Sequence, residues 1–301
     1  MPTPDTVERP AAERCPDEPA EPTAVEAGLD RLQRPTPVTR RDLRTVLLPA
    51  AALLALMCLW QILSWTGLKR PDLFPGPGAV ATGIGEALSE GTLQQAVATS
   101  LGRGVTGFAI SVLIATPLAL LLAQSGTLRA ALGPLVSGLQ VLPSVAWVPA
   151  AIIWFGLTDA TVYFVVLMGA TPSIVNGLLT GIDQIPPHYG SVGTVLGATR
   201  RQQTLLITLP AALPAYLGGL KQGWAFSWRS LMAAEIIAVG GSIGFGLGSM
   251  IQQGRDLSSM PLVMAAILVI LSVGIVVELL VFSPIQRRVL QRRGLLTPGA
   301  K

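Results

Sequence analysis

Apolar runs near residues 45–66, 104–123, 134–155, 161–180, 211–239 and 260–283 dominate this chain. Each approaches the roughly 20 residues that a helix needs to cross about 30 Å of hydrocarbon. A chain built this way has few folds open to it. Lipid offers no partners to backbone N–H and C=O groups, so a spanning segment must satisfy them itself, as a helix does. The expected fold class is therefore an all-α polytopic membrane protein with about six transmembrane helices. Composition agrees: half the residues are hydrophobic and 13% charged, and the mean hydropathy is +0.58, which sets the chain apart from soluble domains. Of the six runs, the fifth carries the most awkward charges, Lys221, Arg229 and Glu235.

The charged residues outside the runs suggest an orientation. Eight of the seventeen acids fall within residues 1–40, a segment rich in Pro, Glu, Ala and Thr without apolar periodicity. Such a segment cannot bury enough surface to offset its ordering entropy, so it reads as a disordered tail. It does not read as a secretory signal. Six crossings from a cytoplasmic N-terminus place Arg34, Arg40, Arg41, Arg44, Arg129, Arg200, Arg201, Arg287, Arg288, Arg292, Arg293 and Lys301 inside, and only Lys69, Arg70, Arg103 and Arg255 outside. The positive-inside rule then puts both termini and the 181–210 connection in the cytoplasm. The basic excess reads as topology rather than as nucleic-acid binding. The expected divisions are a cytoplasmic tail at 1–40, a first transmembrane helix within 41–70, a transmembrane domain over 71–290 and a basic cytoplasmic tail at 291–301.

Several chemistries are excluded. Cys15 and Cys58 form neither a disulfide framework nor a thiolate metal site, and the lone His188, in Pro186-Pro187-His188, reads as a loop residue. The glycine-rich run Gly240–Gly248 lacks the Lys-Ser/Thr of a phosphate-binding loop. No span sets a His or Asp beside a Ser, so an intramembrane enzyme lacks its nucleophile–base pair. No catalytic or metal-binding residue is expected.

On the outer side, 78–90 and 92–103 have helical spacing; the first of these either lies at the interface or packs on the outer ends of the spans. Gly240, Gly244 and Gly248, four residues apart, would permit close helix approach. On the inner side, Pro186-Pro187 ends one helix and a second can restart near His188 and run through Thr194 to Thr204. Gly197 would notch it, Arg200 and Arg201 would occupy its C-terminal part, and Pro210 would sit in the first turn of the fifth span. Lys221 can snorkel, with Trp224 and Trp228 within cation–π reach. Arg229 either attracts an anion or pairs with a carboxylate. Pro117 reads as a packing feature, whereas Pro143 and Pro149, flanking Trp147, are candidates for a gate.

The spacing Gly197-x9-Ile207-x-Leu209-Pro210 resembles the cytoplasmic "EAA" loop of ABC-importer permease subunits. Leu142-Pro143-Ser144-Val145-Ala146-Trp147-Val148-Pro149, Ile153-Trp154-Phe155-Gly156-Leu157, Pro210-Ala211-Ala212-Leu213-Pro214, Gly219-Leu220-Lys221, Ala234-Glu235 and Gly246-Leu247-Gly248 extend the likeness over about residues 70–290. Together they resemble the branch that imports aliphatic sulfonates, taurine, nitrate or bicarbonate. The family's Glu-Ala-Ala opening is replaced by Ser191-Val192-Gly193. The resemblance implies a type I ABC-importer permease fold with a cytoplasmic coupling helix. Its ATPase-coupling loop would comprise Ser191, Gly193, Gly197, Arg200, Arg201, Ile207, Leu209 and Pro210. Its substrate pathway or gate would use Pro143, Trp147, Pro149, Arg229 and Glu235. The implied partners are two copies of an ATP-binding subunit carrying ATP-Mg, a second and simplest identical permease, an extracytoplasmic substrate-binding protein and the lipid bilayer. The chain itself would bind no cofactor, and it would lie in the inner or plasma membrane. A self-contained secondary transporter is the competing reading, but it asks for inverted repeats and coupling carboxylates, and only Glu235 and Glu278 offer themselves.

Overall fold

The computed structural model describes residues 44–67, 70 and 72–294. The expected tail at 1–40 lies outside the described residues, as does all but the start of the tail expected at 291–301, where residues 291 and 292 still belong to a helix. Within these, the chain is helical with no strand. The helices are α1 (Arg44–Trp65), α2 (Pro77–Ser89), α3 (Thr92–Gln124), α4 (Gly126–Val141), α5 (Val148–Phe155), α6 (Asp159–Asp183), α7 (His188–Val195), α8 (Leu209–Ile237), α9 (Leu247–Asp256), α10 (Met260–Val277) and α11 (Ser283–Arg292).

Four helices are long and apolar enough to cross a membrane: Thr92–Gln124, Asp159–Asp183, Arg200–Ile237 and Met260–Arg292. A bent pair, Gly126–Val141 with Ser144–Phe155, makes a fifth if it is one span. Helix α1, at 22 residues, has the length of the expected first span. Among the described residues these four or five segments stand with the expected fold of about six spans, and α1 occupies the place of the first. It joins the bundle at its far end, where the Trp60 indole N–H donates to the Pro75 carbonyl at 3.1 Å.

The third expected span is not continuous. Its two halves meet at 98°. Pro143 supplies no N–H and holds Leu142 in extended backbone (φ −69°, ψ 125°), so α4 stops at Val141 and a 3-10 turn at Ser144–Trp147 begins the second half. Residues 92–103 are likewise no separate outer helix; they form the first turns of α3. Helix α2 is packed rather than interfacial. Its Val80 and Ala87 are buried, and Gly83 faces Pro261 of α10.

At the centre, α6 lies between α3 and α8. One apolar cluster gathers Val162, Val165, Val166, Trp224, Trp228, Leu231 and Leu247. A second gathers Ala115, Leu122, Ile174, Leu178 and Tyr216. Phe108 of α3 packs against both.

Helices α6 and α8 touch through their backbones. A Cβ added to Gly219 would stand 2.6 Å from the Gly177 Cα, and one added to Gly181 would stand 2.8 Å from the Ala212 carbonyl oxygen. Dispersion and close packing replace the hydrophobic effect between helices in lipid, so small residues are what such a seam requires. The stripe Gly169, Ser173, Gly177, Gly181, four residues apart on α6, serves that purpose.

Two segments widen to π geometry, Gln203–Thr208 and Glu278–Phe282. Each ends two residues before a proline, Pro210 and Pro284. A proline ring clashes with the carbonyl one turn back and cannot donate to it; a π turn relieves both problems without ending the helix.

Candidate functional site

Interactions across the bundle separate its two ends. At one end, which carries the basic residues, the Arg129 guanidinium pairs with Asp183, and Arg293 donates to the Pro210 carbonyl. This end holds the elbow joining α6 to α8.

The elbow differs from the single helix expected over 188–204. Helix α7 begins at His188, which is thus helical rather than a loop residue, and ends at Val195. Gly197 is left-handed, with φ +71°. The Ala198 N–H donates to the Gly193 carbonyl at 2.9 Å and the Gly197 N–H to that of Thr194 at 3.0 Å. This is a Schellman ending, for which glycine at the left-handed position costs least. Gly197 is therefore a helix stop, and the notch belongs to Gly193. A Cβ there would meet Ile207 Cδ1 at 2.7 Å. The Gln203 carboxamide also donates to the Thr194 hydroxyl at 3.1 Å.

The chain restarts at Thr199, whose side chain and that of Gln202 form a capping box. Arg200 and Arg201 consequently open a helix instead of closing one. The expected attraction to a helix C-terminus is absent, since cations favour the other end. Both are exposed, as is Ser191. Leu209 and Pro210 are the first residues of α8, and Leu209 packs on the second apolar cluster.

What the elbow leaves outside is apolar. Val195 is 87% exposed and Leu196 78%, with Tyr189 and Val192 beside them. Tyr189, Val192 and Leu196 are spaced three and four apart, so they share one helix face. Solvent does not favour such a contiguous apolar face, and its presence marks an interaction site.

The opposite end contains a buried ionic network, which the sequence reading missed. Glu235 of α8 is wholly buried. One of its oxygens accepts from the Arg103 guanidinium at 3.1 Å. The other accepts from the Ser100 hydroxyl at 2.7 Å and the Gly248 N–H at 3.0 Å. Arg103, expected in an outer segment, is a buried residue of α3 that also reaches Asp159 at 2.8 Å and the Gly244 carbonyl at 3.0 Å. Ser100 accepts the Leu247 N–H at 2.8 Å. Of the three glycines at 240, 244 and 248, only Gly248 brings helices together: in α9, a Cβ on it would stand 3.0 Å from the α8 backbone at Glu235 and Ile236. Gly240 and Gly241 turn the chain at positive φ; at Gly246 and Gly248 a Cβ would collide with Glu235. The Arg103–Glu235 separation, 132 positions in sequence, left no local signal; the buried-carboxylate position of Glu235 in an apolar run was the one available clue.

The expected pathway residues do not form one cluster. Pro143 and Arg229 line the same groove, of about 490 Å³, together with Gln140, Ser144, Gly169 and Phe226. Trp147 lies beyond the bend and packs edge-on against Phe164 at 6.1 Å. Pro149 is in the first turn of α5. Glu235, fully engaged in its network, lines no part of this groove. Arg229 is exposed and lies 5.1 Å from the Phe226 ring. Lys221 departs from the cation–π expectation: it pairs with Glu278 at 2.5 Å, while Trp224 stacks on Trp228 at 6.1 Å.

Residues 107–290 match the family described as binding-protein-dependent transport system inner membrane component. The chain is 32% identical over 219 residues to the bicarbonate transport system permease protein CmpB of Synechococcus elongatus, covering 69% of this chain and 77% of that protein. It is 29% identical over 260 residues to the taurine transport system permease protein TauC of Escherichia coli, covering 85% and 90%. The fold is similar to a chain of the MetNI methionine ABC transporter in inward-facing conformations, with a TM-score of 0.57 at 17% identity over 65% of this chain and 95% of that one. With the multi-pass bundle, its broken span and its exposed elbow already in view, these similarities settle the matter: the chain belongs to the binding-protein-dependent transport system inner membrane components, as a permease subunit of an ABC importer.

Proposed function

We propose that this permease forms the membrane pathway for a small anion, with an aliphatic sulfonate as the leading cargo, delivered by an external substrate-binding protein. Transport is driven by ATP-Mg on two copies of a separate ATP-binding subunit. The observation that carries this reading is the apolar face of Tyr189, Val192, Val195 and Leu196 at the end of the bundle that bears Arg129, Arg200 and Arg201. The positive-inside bias makes that end cytoplasmic, with both termini. There a nucleotide-driven subunit can grip the elbow and move α6 and α8, between which it is covalently held. Ser191, Gly193, Gly197, Arg200, Arg201, Ile207, Leu209 and Pro210 form or shape that elbow. Pro143, Trp147, Pro149 and Arg229 belong to the pathway and its gate.

Two identical copies related by an axis normal to the bilayer are the simplest complete pathway. The anion assignment rests on Arg229, which makes no ion pair among the described residues, and on a relative named for bicarbonate; the choice of a sulfonate rests on relatives named for taurine and aliphatic sulfonates. Purification of the tagged chain from its native membrane tests the proposal. An ATP-hydrolysing subunit is expected to accompany it, and Val195→Asp to release that subunit. Ion-gradient-driven uptake by the chain alone would refute the reading.

A further inference from the structure

Membrane-depth cations need partners, and most in this bundle have them. Arg103 is neutralised by Glu235 and Asp159, Arg129 by Asp183, and Lys221 by Glu278. Arg229 makes no ion pair among the described residues, although it belongs to the same span as Lys221. A guanidinium facing lipid is costly, so such groups turn to protein or to water-filled cavities. The groove of about 490 Å³ at the break between α4 and the 3-10 turn supplies that cavity, and no acid is among its lining residues.

A second cavity, of about 380 Å³, lies along the same α4–α6 seam toward the cytoplasmic end. Arg129, Ser137, Asn176, Thr180 and Asp183 are among its lining residues. Gln140 lines the first cavity and Asn176 the second. The Asn176 carboxamide N–H donates to the Gln140 carbonyl oxygen at 2.6 Å. The pair is thus a partition one hydrogen bond thick. With its oxygen occupied, Gln140 has its N–H donors left to offer, the polarity an anion requires. Arg129, Gly133, Ser137 and Gln140 recur three or four residues apart, which puts them on one face of α4.

We infer that Arg229 and the Gln140–Asn176 pair are successive stations of a small-oxyanion path along the α4–α6 seam. This rests on the permease reading above and specifies its route. The Arg229 fork binds the oxyanion in the groove. Parting of the Gln140–Asn176 bond admits it to the second cavity. Arg129, already neutralised by Asp183, adds no free cation there, so the second cavity passes the oxyanion on rather than holding it. The cargo class follows from the groove, which holds Arg229 and no acid in its lining: a compact sulfonate, carboxylate or similar oxyanion.

The test is thiol accessibility in membrane vesicles containing the complete transporter, in a chain whose Cys15 and Cys58 are replaced by Ser. Val141→Cys, whose native side chain is 84% exposed at the groove, is treated with the anionic 2-sulfonatoethyl or the cationic 2-(trimethylammonium)ethyl methanethiosulfonate. The anionic reagent is expected to react about tenfold faster than the cationic one, relative to their rates on a free thiol. Arg229→Gln abolishes that preference and Arg229→Lys keeps it, which separates loss of charge from loss of fold. At Ser137→Cys, in the second cavity, Asn176→Asp slows the anionic reagent by about tenfold. Equal rates at Val141→Cys, or a preference that survives Arg229→Gln, overturns the path. The readout needs neither ATP nor a known cargo, so its failure is distinct from failure to co-purify an ATPase.

Discussion

Glu235 shows how a carboxylate is kept inside a membrane helix. Its charge is matched by Arg103, and Ser100 and the Gly248 N–H complete its hydrogen bonding. Removing one member leaves the other buried and uncompensated, which costs about 3–5 kcal/mol. Arg103→Ala should therefore lower the unfolding free energy of the detergent-solubilised protein by that amount, read as a lower denaturant midpoint, whereas exposed Arg201→Ala should leave it unchanged. Glycine is used as economically. Gly177→Val forces α6 and α8 apart and should cost at least about 1–3 kcal/mol. Gly85→Ala, on a part of α2 where an added Cβ meets nothing within 4 Å, should be neutral or stabilising by up to about 1 kcal/mol. Thermal unfolding of the two variants side by side measures the contrast. At this scale the sequence was half legible. Glu235 and Arg229 stood out as expensive charges in an apolar run, but their fates differed for reasons fixed by distant elements. The glycine stripe at 169–181 has the same four-residue spacing as Gly240, Gly244 and Gly248, and spacing alone did not say that Gly240 turns a loop while Gly248 faces a helix.

Among the elements, the elbow departs most from a simple reading. Pro186-Pro187, Gly197 and the Leu-Pro at 209–210 were all visible as punctuation, so its existence and limits were legible. Its internal break was not, because it depends on two local choices acting together: the Schellman stop at Gly197 and the Thr199–Gln202 capping box. The result is a hook in which α7 folds back on the π segment through Gly193 and Ile207. Gly193→Val should push the hook off that support. Reduced coupling is the expected outcome, read as ATP hydrolysis no longer matched by uptake, with helicity unchanged. Gly197→Val should strain the left-handed stop and weaken the same function. The broken third span follows similar logic. Pro143 announced an interruption, but a kinked span and a 98° turn differ only in whether the helix resumes along its old axis. Packing of Trp147 against Phe164 settles that.

For the whole molecule, long apolar runs and the placement of basic residues were enough to specify an all-helical, multi-pass bundle, since lipid restricts what a backbone can do. The order of the spans around α6 was beyond such reasoning. It depends on which small-residue faces meet and on pairings such as Arg129–Asp183 and Arg103–Asp159, which join distant parts of the chain. Those two pairings sit at opposite ends of the bundle, one beside the elbow and the other beside the glycine-rich turn at 240–246. A force applied to the elbow thus enters a body braced at both ends, with the broken span and its groove between. The central claim is that this elbow is the cytoplasmic grip of an ATP-driven subunit. Oxidative cross-linking of Val195→Cys, in a chain lacking Cys15 and Cys58, to single cysteines on the co-purified ATPase tests it most directly. The account predicts a cross-linked species whose yield changes with ATP. Labelling of Val195→Cys by a membrane-impermeant thiol reagent added to the outside of intact cells would contradict it.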